Sequence, residues 1–257
     1  MSLLKLILKA AVPTPKLENY RKFLFVGPHP DDIEIGAGAT AAKLAAMGKE
    51  ICFVVCLDGR FGDGNSPDGI RGDRLVEVRR EEAIASASML GVTDVRFLNL
   101  CDGGFYTQME LVNQLAQVVG DFQPEVIVAP DPNVTSECHA DHLNVGCAAR
   151  QLACFAPYSG IMAGYGAESA PVQVLAYYMT AKPNHFVKTR GFLKQQLAAI
   201  FDCHRSQFPE GCSEAKSIAL YLKLRSMDFG IRSGMGCAEG FRVLGPTHMH
   251  CFPEAGN

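Results

Sequence analysis

Two short runs of this 257-residue chain carry side chains of the kinds that bind metals or move protons. The first is Pro28-His29-Pro30-Asp31-Asp32-Ile33-Glu34, and the second is Glu137-Cys138-His139-Ala140-Asp141-His142. Imidazole and carboxylate are zinc-binding donors, and three protein ligands leave a fourth position open, which marks a catalytic rather than a structural site. His29 and Asp32 stand three residues apart in a loop stiffened by two prolines, so their side chains can converge on one ion. A plainer reading makes an Asp the N-cap of the next helix and the His incidental. Two such runs are harder to explain by capping, because two His and one Asp drawn from them complete a three-ligand set.

Bringing the runs together is the task of the surrounding elements. Residues 23–27 (FLFVG) form an apolar run ending in Gly-Pro and read as a buried parallel strand. A helix is expected over 37–47, closed by Gly48. Strands follow at 51–57, 95–100 and 126–129, alternating with helices at 73–90, about 108–119, and 143–153. Repeated β-α units of this kind imply an α/β fold: a Rossmann-like, open, doubly wound, mostly parallel sheet covered on both faces. In such sheets ligands bind beyond the carboxyl ends of the strands, at the switch point where the first and fourth strands are neighbours. Both chemical runs follow those two strands. Further on, strands are expected at 172–179 and 185–188, and helices at 191–204 and 214–227. With no linker or internal repeat, the reading is one domain over 1–257, with an extension at 1–20 and a helical and strand addition at 172–257.

Composition narrows the function classes. At 48% hydrophobic and 20% charged, the chain suits a globular domain with a real core. A net charge of −3 carries no basic footprint for nucleic acid or a membrane surface. No stretch approaches the roughly 18 uninterrupted apolar residues that span a bilayer. Residues 1–12 superficially resemble a signal peptide, but Lys5 and Lys9 interrupt the apolar run and no cleavage site precedes Pro13, so a short packing helix is expected. Ten scattered cysteines without a C-x-x-C pair point to a reduced, cytoplasmic protein. Gly36-Ala37-Gly38-Ala39-Thr40-Ala41, with Asp58 further on, imitates a dinucleotide-binding fingerprint. In that motif the glycines follow the strand directly, whereas here seven residues intervene, so close helix–sheet packing is the better explanation. His248 and His250 read as surface residues and His185 as structural. The Gly-rich loop at 62–72 belongs at the carboxyl rim, where it either shapes a pocket or is disordered.

The Pro-His-Pro-Asp-Asp loop with the later His139-Ala140-Asp141-His142 resembles the LmbE-like, or PIG-L-type, de-N-acetylases. Further matches are Arg79 and Glu82 before Leu90-Gly91, then Asp102-Gly103. Tyr177-Tyr178 with Lys182-Pro183-Asn184, the run from His204 to Pro209, and Ala238-Glu239-Gly240-Phe241-Arg242 resemble the diacetylchitobiose deacetylase branch in particular. The resemblance implies zinc, or another divalent metal, held by His29, Asp32 and His142, with Asp31 as general base. It implies His139 at the oxyanion, Asp141 orienting its neighbours, His204 as general acid, and Arg79 and Asp102 on the substrate side. Two departures are Ile33 before Glu34, where many relatives place the Glu directly, and Ala140, often Pro in relatives. The implied substrate is a small amino sugar, an N-acetylglucosamine saccharide, and the implied assembly a homo-oligomer. Competing readings keep the chemistry but change the substrate to a thiol-precursor glycoside or an acylated natural product, or make the protein a non-catalytic sugar binder. A binder has no need of Asp31.

Overall fold

The computed structural model describes residues 3–250. Strand β1 (Lys22–Gly27) is buried along almost its whole length, and its side chains alternate between two cores. Leu24 and Val26 pack on one face against α4 (Gln108–Phe122) and α5 (Ala140–Phe155). Phe23 and Phe25 pack on the other against α2 (Asp32–Ala46) and α3 (Gly72–Met89). A strand buried on both faces must be continuously apolar, which is why the run at 23–27 shows no polar alternation. At roughly 1.5–3 kcal/mol for each large side chain taken fully out of water, these two cores are the main stabilising term of the fold.

The remaining strands are β2 (Glu50–Leu57), β3 (Asp94–Leu100), β4 (Val126–Pro130), β5 (Val174–Tyr178), β6 (His185–Lys188) and β7 (Ala238–Leu244). They form one seven-stranded sheet in the order β3-β2-β1-β4-β5-β7-β6. The first five positions are parallel, and β7 pairs antiparallel with both β5 and β6. The fold is therefore a single α/β domain on a mostly parallel, mixed sheet, and the chain reverses direction across the sheet between β1 and β4. Loops after β1, β2, β3 and β4 all emerge at the same carboxyl rim. That is how residues more than a hundred positions apart meet.

Several expectations need correction. Helix α2 starts at Asp32, five residues earlier than expected, because Gly36 is a packing residue and not a break. A Cβ on Gly36 would lie 2.1 Å from the Tyr178 ring, so only glycine lets α2 approach β5 this closely. The 191–204 helix divides into α7 (Leu193–Ala198) and a wider π turn, Ala199–Cys203, that ends at His204. The last long helix runs further, as α8 (Ser213–Ser233), after the short α6 (Ser159–Gly164). Strand β7, unforeseen as a strand, lies inside the sheet. The N-terminal α1 (Leu3–Ala11) forms, but Leu3, Leu4 and Ile7 are exposed, so its apolar run does not become core. His248, on α9 (Pro246–His250), is buried rather than on the surface: its Nδ1 accepts from the Gly245 N–H, and its Nε2 lies 3.2 Å from the Val12 carbonyl.

The close approach at Gly36 predicts that Gly36→Ala lowers stability by about 1–3 kcal/mol through overpacking against Tyr178. Urea unfolding of the variant should give an earlier midpoint at unchanged slope; an unaltered midpoint would mean that the helix moves off the sheet at no cost.

Candidate active site

Asp31 is the N-cap of α2 and His139 the N-cap of α5, yet neither side chain makes a capping hydrogen bond. The capping alternative is thus not realised, and both side chains are left for the space between the loops. Asp31 has φ 115° and ψ −25°, a conformation that costs a non-glycine residue about 1–3 kcal/mol and that persists only where the surroundings hold it.

His29 Nδ1 lies 3.1 Å and His142 Nε2 3.4 Å from the same oxygen, Asp32 Oδ2. The ligand atoms of His29, Asp32 and His142 all lie within 4.8 Å of one another. In a tetrahedral site with bonds of about 2.1 Å, ligand atoms stand about 3.4 Å apart. Two of the three edges therefore already have the length a zinc-sized ion requires. The outward nitrogens are also engaged: His29 Nε2 faces Asp141 Oδ2 at 3.2 Å, and His142 Nδ1 faces Glu137 Oε2 at 3.1 Å. A carboxylate on the second nitrogen fixes the tautomer and the ring orientation of a metal-binding histidine. The donor set fits a divalent cation.

Asp141 has no exposed surface and gathers further donors from the loop after β3. The N–H groups of Gly103 and Gly104 donate to it at 2.8 and 3.0 Å, and the Tyr106 hydroxyl at 3.0 Å. His139 Nδ1 is 3.9 Å away, and its ring stacks on His142 with centroids 4.7 Å apart.

Charge in this cluster follows from burial and pairing. Burial disfavours the charged form of His29, but hydrogen bonds to Asp141 and Asp32 outweigh it and raise the pKa to about 10. In the same way Asp32 and Glu137 outweigh burial at His142, which rises to about 9. Burial opposes ionisation of Asp32 too, yet its two histidines hold it far below the usual carboxylate range. Asp141 falls to about 2 as the hydrogen bonds from His29, Gly103 and Tyr106 overcome burial. Asp31 differs: burial dominates over the nearby Arg79 charge and lifts its carboxyl to about 6.

A cavity of about 250 Å³ opens over these groups, and Asp31, His29, His139, His142, Arg79 and Asp102 are among its walls. Arg79 reaches it from α3, where it stands with Leu75 and Ala83 on the buried stripe. Its guanidinium donates to the carbonyls of Gly59 and Pro30 at 3.0 and 2.9 Å and lies 3.6 Å from Asp31 Oδ1. A Cβ on Gly59 or Gly62 would sit within 2.6 Å of that guanidinium, so a side chain at either position would push Arg79 aside. Asp102 accepts the Phe61 N–H at 3.3 Å, and burial raises its pKa above the ordinary value. Phe61 and Gly62 place the start of the Gly-rich loop on the cavity wall.

His204 lies elsewhere. Its ring is fully buried behind Asp31, with Nε2 3.5 Å from Glu34 Oε1, and it is not part of the cavity wall. Glu34 in turn accepts the Ser86 hydroxyl at 2.6 Å. His204 was expected as the general acid; in this arrangement its ring faces Glu34 and not the cavity. Glu137 and Tyr106 were not foreseen as site residues. Glu137 belonged to the second run, and a carboxylate five positions before a ligand-type His was the available signal. Nothing local marked Tyr106.

The family model for PIG-L, described as GlcNAc-PI de-N-acetylase, matches residues 24–153. The chain belongs to this family. It is therefore a hydrolase of the de-N-acetylase class, acting on an amide bond. It is 32% identical to the diacetylchitobiose deacetylase of Thermococcus kodakarensis over 92% of this chain and 88% of that one. It is 31% identical to a 1D-myo-inositol 2-acetamido-2-deoxy-alpha-D-glucopyranoside deacetylase of Thermobispora bispora, over 76% of this chain and 71% of that one. Among solved structures, the N,N'-diacetylchitobiose deacetylase of Pyrococcus horikoshii superposes with a TM-score of 0.84 at 32% identity, covering 98% of this chain and 93% of that one. A 4-carboxy-2-hydroxymuconate hydratase of Pseudomonas putida shares the fold alone, with a TM-score of 0.72 at 21% identity over 88% of this chain and 97% of that one.

Two outcomes follow from the donor arrangement. Without a cation both His29 and His142 carry a proton at neutral pH, so cation binding displaces about two protons and weakens as pH falls. Competition against a chromophoric chelator should show the association constant rising about a hundredfold per pH unit around pH 7; a pH-independent constant would rule out these ligands. Glu137→Gln should weaken cation binding roughly 10–100-fold without removing a ligand, whereas unchanged affinity would deny the carboxylate its orienting role.

Proposed function

We propose that this protein is a zinc-dependent hydrolase that removes the acetyl group from a small N-acetylglucosamine saccharide of the diacetylchitobiose kind. In this reading His29, Asp32 and His142 are the ligands and Asp31 is the general base. The observation that carries it is the position and charge of Asp31: beside the ligand set, on the cavity wall, with a pKa of about 6.

When bound, the divalent cation supplies Lewis acidity, making water nucleophilic near neutral pH and polarising the amide carbonyl. Asp31 accepts the proton of the attacking water. A carboxyl poised near neutrality is suited both to take that proton and to return it to the departing nitrogen, so a single group serves as base and then acid. Arg79 keeps Asp31 aimed, because its guanidinium ties the Pro30 carbonyl beside it to the Gly59 loop. Burial and the neighbouring histidines depress the His139 pKa, and its neutral imidazole offers an N–H to the oxygen that gains charge. Asp141 and Glu137 hold the two ligand rings. Arg79 and Asp102, both on the cavity wall, are the residues to meet the sugar.

The curated relatives named above act on 2-acetamido-2-deoxyglucose compounds, so the acetylated ring is the shared element. The chitobiose reading is favoured over the inositol glycoside because the likeness then covers 92% rather than 76% of this chain. No helix among the described residues is long and apolar enough to cross a membrane. Acetate release from N-acetylglucosamine, diacetylchitobiose, an inositol glycoside and a glycolipid analogue tests the choice. A clear preference for either of the last two would overturn it.

Asp31→Asn should retain the metal and lose about 10²–10⁴-fold in kcat. The base must be ionised, so wild-type kcat/KM falls as pH drops through the Asp31 pKa; a neighbouring cation favours the carboxylate, placing that limb at or below about pH 6. The limb should vanish in the variant. Near wild-type turnover in Asp31→Asn would remove Asp31 from the mechanism.

A further inference from the structure

The cavity is small for the substrate class just proposed. Pockets that enclose a drug-sized ligand run to about 300–1,000 Å³, whereas this one holds about 250 Å³. One acetylated ring fills it. The next ring of a β-linked saccharide has to lie outside, across the mouth.

Two phenylalanines wait there. Phe61 follows β2 and forms part of the cavity wall; Phe105 follows β3 and packs against Phe61 without itself lining the cavity. They are 57% and 72% exposed, although a buried Phe would contribute about 1.5–3 kcal/mol to folding. Their rings pack edge to face, with centroids 5.7 Å apart and planes at 63°. Each is held from beneath. The Phe61 backbone is fixed by its N–H bond to Asp102, and Gly103 lies so close under both rings that a Cβ there would touch each at 3.4 Å. Neighbouring Arg60 is anchored on Asp58 by Nε at 2.7 Å. An exposed, mutually packed aromatic pair at the edge of a polar cavity is a surface awaiting an apolar partner.

Building on the proposed function, we infer that Phe61 and Phe105 form an apolar subsite for the saccharide ring that remains outside the cavity. In a β-linked glucosamine ring every hydroxyl and amide is equatorial, so the two faces carry only axial C–H groups. Those hydrogens are polarised by adjacent oxygens and meet the electron-rich face of an aromatic ring. The subsite discriminates by ring number. Phe105, outside the cavity lining, contacts diacetylchitobiose and longer chains but not N-acetylglucosamine itself. Because the outer ring takes no part in the reaction, its contact is the same in ground and transition states and is read in KM, not in kcat.

The chain contains no tryptophan, which makes the test direct. Phe105→Ala should raise KM for diacetylchitobiose roughly tenfold at nearly constant kcat, and leave KM for N-acetylglucosamine unchanged. Phe61→Ala, which also opens the cavity wall, should raise KM for both sugars, and more for the disaccharide. Phe105→Trp should keep the wild-type KM, and its single emission should shift on addition of diacetylchitobiose but not of N-acetylglucosamine. Equal rises in KM for both sugars in Phe105→Ala, or no rise for the disaccharide, would overturn the subsite, as would an emission indifferent to diacetylchitobiose. If the wild type releases acetate from neither sugar, the proposed function fails, while the emission of Phe105→Trp still decides whether the disaccharide ring binds here.

Discussion

A carboxylate with no exposed surface, Asp141, ties its own segment to two loops, so that three connections leaving the sheet at three different strands are joined. It pairs with His29 after β1, accepts from Gly103, Gly104 and Tyr106 after β3, and itself opens α5 after β4. An uncompensated buried charge is very costly, and removing partners from a buried pair typically costs about 3–5 kcal/mol. The four donors therefore come as a set. Their common acceptor fixes His29, and with it the edge between His29 and Asp32. The rest of the site inherits this geometry.

The same economy of charge runs through the neighbouring groups. Asp31, Asp32, Asp141 and Glu137 crowd around two imidazoles and one guanidinium, a balance that favours a positive ion at the centre. Behind them, Glu34, Ser86 and His204 form a second buried polar layer that supports α2 from within and does not open to the cavity. Fixed ligands and a charge-poised base resting on a packed interior are what preorganised catalysis requires. Bond making is thus confined to a few side chains that the surrounding loops hold in place.

Much of this was legible in the sequence, and the reasons are physical. Both faces of β1, β2 and β4 are buried, so continuous apolar runs named them, and the switch-point rule brought the His29 and His142 loops together. Boundaries and long-range pairings were less legible. Strand β7 escaped notice because two polar residues interrupt its apolar pattern. One of them, Glu239, is fully paired in the interior, accepting the N–H groups of Ala39 and Thr40 in the middle of α2. Such a partnership leaves no local trace. The surroundings of His204 were hidden for a related reason: its motif located it in the chain, but only the packing against Glu34 shows that its ring faces inward. Tyr106 and Glu137 act through hydrogen bonds to other site residues; the spacing of Glu137 before His142 hinted at its role, whereas nothing local marked Tyr106.

The account stands on one cation, held by His29, Asp32 and His142, being required to break an amide. The most direct measurement is to strip the purified protein with a chelator and add zinc back in sub-stoichiometric steps, following acetate and free amine released from diacetylchitobiose. Both products should be absent from the stripped protein, appear in equal amounts, and rise linearly to a plateau at about one zinc per chain. Full product release by the stripped protein, or a plateau only at several equivalents, would contradict it.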